Sequence, residues 1–200
     1  GVEEIVAGRE EDLADLDLFE QFGLGGGEAF LDLRLSSQAK SPRPVEAHYL
    51  FSGGAFGPDY NMSYAPIVLS IPSDAVKVEL ATVISGHGGA DPGNCAEFCN
   101  TTHHFFVDGT ENVRSFPQAG AGTDCMDRVD EGVVPNQFGT WWYGRSGWCP
   151  GWHVPVHVMD VTDQVTPGTD AVIDYEAYYL DAPYPSSGAS IRLTSWLVIS

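Results

Sequence analysis

Two hundred residues with 43% hydrophobic and 12% aromatic content can bury one moderate core, which excludes a disordered chain. Nine Lys plus Arg against 28 Asp plus Glu give a formal charge of −19, which excludes nucleic acid and anionic lipid as partners. No run of about 18 apolar residues occurs, so no membrane insertion is expected.

Residues 1–45 read as an N-terminal acidic arm and linker, carrying one helix and one strand. Leu13, Leu16 and Phe19 fall near helical spacing, and the glycines between Gly23 and Gly27 would stop such a helix. Residues 29–35 alternate at period two and read as a strand; 36–44 are linker-like. The chain begins with Gly rather than Met, as after removal of a leader.

From Val45 onward the pattern is β throughout. Candidate strands are 48–52, 66–71, 76–84, 102–107, 113–116, 139–143, 153–161, 171–179 and 191–199, separated by turns rich in Gly, Pro, Asp and Asn. Some alternate and others are nearly all apolar, as expected for two stacked antiparallel sheets. The expected fold is therefore all-β: an antiparallel eight-stranded jelly-roll sandwich over residues 46–200, with an immunoglobulin-like sandwich as the alternative topology.

Four cysteines, Cys95, Cys99, Cys125 and Cys149, lack the spacing of a zinc ribbon. Two disulfides are the simpler account, and they place the chain outside the cytoplasm: secreted, periplasmic or on the cell surface. Three connectivities are open to four cysteines; Cys95–Cys99 with Cys125–Cys149 is our choice. Residues bridged four apart cannot lie on an extended strand, so Ala96, Glu97 and Phe98 are expected on a projecting rigid turn. A carboxylate held there suits a general acid or an ionic anchor for substrate; the plainer account is a solvated turn residue.

The stretch 139–152 holds four tryptophans (Trp141, Trp142, Trp148, Trp152), Tyr143 and Arg145. Flat aromatic faces beside hydrogen-bonding groups suit sugar rings, and the Arg145 guanidinium could fork onto a carboxylate or carbonyl. The alternative is that the tryptophans fill the core and Arg145 pairs with a structural acid. On a strand, Trp141 and Trp142 would face opposite ways.

Six histidines raise the question of a metal. His153 and His157, about 13 Å apart on a strand, cannot share an ion, and adjacent His103 and His104 face opposite sides unless a bulge intervenes. The expectation is no cofactor and no metal, with copper at His103 and His104 as the minor alternative. No nucleophile elbow, phosphate loop or dinucleotide fingerprint is present. Residues 61–63 and 100–102 match the N-glycosylation acceptor pattern.

Three blocks carry a resemblance: Ile84-Ser-Gly-His-Gly88; Cys95-Ala-Glu-Phe-Cys99 running into Thr102-His-His-Phe-Phe-Val-Asp-Gly109; and Arg145-Ser-Gly-Trp-Cys-Pro-Gly151 with Val154-Pro155. In order and spacing they resemble the C-terminal jelly roll of bacterial peptide-N-glycosidase F, over about residues 46–200. The same superfamily includes copper type II peptidylglycine hydroxylating monooxygenases, whose paired-histidine strand looks like His103-His104-Phe-Phe106.

The family is secreted and cleaves the amide joining asparagine to the first N-acetylglucosamine, at the interface of two jelly rolls. The resemblance implies that Glu97 stands at a functional glutamate and that Arg145 matches an arginine of the binding cleft. Trp148 matches the tryptophan of the second loop, and Phe98 replaces an aromatic partner of Glu97. The same disulfide pairing is implied. Glu97 and Arg145 are thus the candidate catalytic pair, with Trp148, Phe98, His87 and Trp142 as candidate substrate-binding residues.

Two departures stand out. The family's essential aspartate belongs to the other jelly roll, which 200 residues are not expected to contain. A tryptophan carried near the His87 loop is missing. The expected partner is a glycan or glycopeptide, with a second β domain or self-assembly completing the structure. The domain is then either a non-catalytic binding or assembly module, or part of an N-glycan amidase whose aspartate another domain supplies. A copper monooxygenase-like domain is the remaining alternative.

Overall fold

The computed structural model describes residues 42–89, 91–135 and 139–200. The chain divides after Arg43, and Pro44–Ser200 form one compact unit. The helix and strand expected within residues 1–35, and most of the linker, lie outside the described residues.

Eight strands follow one another: β1 (Glu46–Phe56), β2 (Ile67–Ser70), β3 (Val78–Gly88), β4 (Thr101–Val107), β5 (Thr110–Ser115), β6 (His157–Asp160), β7 (Asp170–Tyr179) and β8 (Ala189–Ile199). They form two four-stranded antiparallel sheets, ordered β1-β8-β3-β6 and β2-β7-β4-β5. Successive strands alternate between the sheets except at the β4–β5 hairpin, and β8 returns to lie between β1 and β3. That order is the jelly roll expected from the sequence.

Alternation explains the core. Ala171, Ile173, Tyr175 and Ala177 of β7 are buried, as are Ile191, Leu193, Leu197 and Ile199 of β8. Each large apolar side chain so buried stabilises the fold by about 1.5–3 kcal/mol. β1 breaks register between Tyr49 and Ser52. There Ser195 of β8 patches the gap: its Oγ accepts the Phe51 N–H at 3.0 Å and donates to the Phe51 carbonyl at 3.2 Å.

Two strand expectations need correction. Residues 139–143 make no strand; they are turn and irregular backbone in the long connection between β5 and β6. The backbone carbonyls of Thr140, Trp141 and Tyr143 turn to a guanidinium rather than to a neighbouring strand. Trp141 and Trp142 therefore do not alternate; both are half-buried and meet edge to face at 6.0 Å. The strand expected over 153–161 is shorter, pairing only over His157–Asp160 with Thr82–Glu79 of β3.

His103 and His104 lie on an unbroken β4 register and face opposite sides. His103 is fully buried, with Nδ1 against Tyr175 Oη at 2.8 Å and Nε2 against Thr101 Oγ1 at 3.3 Å. His104 lies on the outer face beside Glu111, 2.7 Å away, and Thr102. The two rings do not converge on one point, so the paired-copper arrangement is not built here.

Burial, then the neighbouring His104 and Arg114, hold the His103 pKa down to about 3. The unfolded chain takes up that proton near pH 6.5 and the native fold does not, so stability falls as pH drops from about 6.5 toward 3. From pH 7 to 5 the loss attributable to His103 is about 2 kcal/mol. Urea unfolding should show a lower midpoint at pH 5 than at pH 7, while the His103 ring signals stay unshifted. A midpoint that does not move would contradict this account.

Candidate functional site

Two loops meet at one end of the sandwich. The first leaves β3 through Gly86, His87 and Gly88, makes the single helical turn α1 (Cys95–Phe98), and enters β4. Cys95 and Cys99 are bridged across that turn, with Cα atoms 4.5 Å apart. The second is the connection from Phe116 to Val156, cross-linked by Cys125–Cys149. Its bridge spans 24 residues, and such a closure stabilises the fold by about 3 kcal/mol. The pairing is the one chosen from the sequence.

Backbone groups lock the loops together. The Ser146 N–H donates to the Glu97 carbonyl at 2.8 Å, and Ser146 Oγ donates to the Cys99 carbonyl at 2.8 Å. The Gly86 N–H donates to the Ser146 carbonyl at 2.8 Å, and Trp148 Nε1 donates to the Gly86 carbonyl at 2.9 Å. Gly86 is required here, because an added Cβ would overlap the carbonyl oxygen of Ala96. Ala96 is consequently buried in the core rather than projected, which corrects the expectation for that residue.

Glu97 is not a solvated turn residue. Its side chain is 16% exposed, and both oxygens are held. Oε1 accepts from Arg145 Nε at 2.8 Å and Oε2 from the Gly88 N–H at 3.3 Å. Arg145 is only 1% exposed. Its Nη1 donates to the carbonyls of Tyr143 (3.1 Å) and Trp141 (3.3 Å), and its Nη2 to the Thr140 carbonyl (3.0 Å) and Oγ1 (3.4 Å). All five donors are engaged, so the fork expected to receive a ligand is filled by Glu97 and the second loop. Phe98 and Trp148 both place a ring against the guanidinium, at 5.0 and 4.9 Å.

The remaining candidates divide. His87 lies against Trp148 at 4.8 Å with the rings tilted by 35°, and its Nε2 shares a hydrogen bond with Ser85 Oγ at 2.8 Å. Burial lowers its pKa, Glu97 opposes that shift, and Arg192 and Arg145 add to it. Glu97, Phe98, His87 and Trp148 thus form one rim. Trp142 packs on Trp141 and on Tyr143 (5.4 Å), one ring removed from that rim. Tyr143 takes the place assigned to it, meeting Phe98 edge-on at 6.3 Å. Ser146 and Gly88 were missed because their roles rest largely on backbone groups, which leave no residue-type signal. Asp124 lies with Cys125 and Cys149 in metal-ligand proximity, but both sulfurs are spent in the disulfide.

A rim of one oriented carboxylate flanked by aromatic rings can accept hydrogen bonds from a sugar and pack its C–H faces. The family model described as "Peptide-N-glycosidase F, C terminal" matches residues 59–199. The chain is 30% identical over 106 residues to the peptide-N(4)-(N-acetyl-β-D-glucosaminyl)asparagine amidase F of Elizabethkingia miricola, covering 50% of this chain and 28% of that protein. Among solved structures, PNGase F, a glycosylasparaginase from Flavobacterium meningosepticum, superposes with a TM-score of 0.54 at 20% identity. That match covers 80% of this chain and 53% of the other. PNGF-II superposes with a TM-score of 0.57 at 16% identity, over 78% of this chain and 30% of its own. This chain therefore spans about half or less of the length of these relatives.

Replacing Arg145 strands a mostly buried carboxylate and three carbonyls. Arg145→Met should cost about 3–5 kcal/mol in denaturant unfolding. Glu97→Gln keeps an acceptor for the Nε–H but removes the counter-charge of a buried guanidinium, so it should also cost about 3–5 kcal/mol. Equal, small losses in both variants would refute the assignment of Arg145 as the tie between the loops.

Proposed function

Because the chain belongs to the family of the peptide-N-glycosidase F C-terminal domain, we propose that it faces the core of asparagine-linked glycans and contributes one half of an N-glycan amidase site. The observation that carries this reading is the Glu97 carboxylate, both of whose oxygens are fixed before any ligand arrives. A fixed acceptor binds a sugar hydroxyl or acetamido N–H without first losing side-chain freedom. In this reading Glu97 anchors the first N-acetylglucosamine, Phe98 and Tyr143 border its ring, and His87 and Trp148 close the other side. Arg145 is a positioning residue that acts through Glu97.

Amide hydrolysis adds water across the bond from the asparagine carbonyl to the glycan nitrogen, and it needs a group that activates that water. With Glu97 occupied as an anchor, that carboxylate comes from a second β domain, as in the two-jelly-roll relatives. The two disulfides fit work in an oxidising compartment, so the domain is proposed to act outside the cytoplasm.

The test uses a denatured N-glycoprotein and a glycopeptide ending in the chitobiose core. The chain alone should bind the glycopeptide and release no glycan by mass spectrometry. Glu97→Gln should weaken binding by about tenfold, equivalent to about 1.4 kcal/mol. Absence of glycopeptide binding by the wild-type chain would reject the glycan-facing reading; glycan release by the chain alone would reject the half-site.

A further inference from the structure

β5 and β6 are the outer strands of their respective sheets, and residues from both line one opening between the sheets. Arg114 of β5 stands opposite His103, and His157 of β6 opposite Thr82. Both partners are fully buried, so Arg114 and His157 point inward between the sheets. They line a narrow slot with Phe116 and Pro155. Inward charges at a sheet edge can deter stray strand pairing, but a charge serving only that purpose gains from a carboxylate partner.

Arg114 has none. The ion pairs formed among the described residues do not include it, and its guanidinium lies over the Phe116 ring at 4.9 Å. Burial draws its pKa down, and it in turn helps burial lower that of His157. A half-buried cation without a counter-charge, in a chain of net charge −19, leaves desolvation uncompensated.

A cleft of about 190 Å³ shares Arg114 and Pro155 with the slot and is lined also by Gln118, Asp124, Arg128, Arg145, Trp148 and Trp152. Arg128 is already matched by Asp124 and Glu131, each at 3.3 Å, so Arg114 supplies the unmatched charge. The cleft is far larger than one water or one inorganic ion needs. Arg128 covers a face of Trp152 at 4.9 Å and Arg145 a face of Trp148, which keeps these walls fixed.

We propose that this opening between β5 and β6 binds the carboxylate of an acidic sugar, with Arg114 forking onto the carboxylate and Gln118 and the tryptophans beside the ring. Only the sugar part of that ligand rests on the glycan-facing reading; the anion site is centred on Arg114 and shares the Arg145 and Trp148 wall with the Glu97 rim. A planar carboxylate matches the paired donors of a guanidinium, whereas a neutral hexose leaves the charge unmet.

Calorimetry on the 200-residue chain at low ionic strength, with D-glucuronate, D-glucose and sodium sulfate, decides the matter. Glucuronate should bind at least about tenfold more tightly than sulfate, with no heat from glucose, and Arg114→Gln should lose at least about tenfold. Arg114→Gln should retain glycopeptide binding, which separates this site from the glycan rim. If Arg114→Gln unfolds, NMR on the wild-type chain replaces it: glucuronate should shift the side-chain signals of Arg114 and Gln118. No glucuronate binding, sulfate binding as tight as glucuronate, unchanged binding in folded Arg114→Gln, or NMR shifts confined to other residues would each overturn the proposal.

Discussion

The end of this sandwich depends on a guanidinium taken wholly out of water. Moving Arg145 inside costs several kcal/mol, which is offset only if every donor finds an acceptor and a counter-charge is present. Both conditions are met: Glu97 supplies the charge, and Thr140, Trp141 and Tyr143 supply the oxygens. Such a network favours one arrangement over its neighbours, because any shift of either loop leaves a buried group unpaired. The acid and the aromatic rim are positioned by the same contact.

That contact is reachable because the sandwich brings its ends close. β3 delivers Gly86 beneath Ala96, and Ser146 bridges both loops with its backbone and its hydroxyl. The disulfides shorten each loop but do not join one to the other. Joining is left to hydrogen bonds and to Phe98 and Trp148, whose rings both lie against the guanidinium. The chemistry of the rim is therefore set by polar satisfaction rather than by covalent cross-links.

Much of this was legible in the residues. Period-two alternation in 171–179 and 191–199 marks strands that bury one face, and the structure buries Ala171, Ile173, Tyr175 and Ala177 accordingly. The short Cys95–Cys99 spacing forced a turn around Glu97, and a helical turn is what forms. Residues 139–143 misled because aromatic β-formers also serve as loop anchors; their carbonyls, silent in the sequence, turn to Arg145. The direction of the Arg145 fork was equally hidden, since a guanidinium suits an internal carboxylate as well as a ligand's. Arg114 gave no signal at all: only strand pairing shows that it points between the sheets.

The place of β8 has a consequence for how the protein comes to exist. Ile199 pairs at once with Glu46 and with Val78, so the eighth strand of the sandwich is the one that β1 and β3 wait for. Until β8 docks, β1 and β3 have no shared neighbour and their apolar faces stay wet. Assembly is then a late, concerted event dominated by distant contacts, slow by the standards of helical domains. A chain of this kind is most in need of a chaperone before β8 has docked.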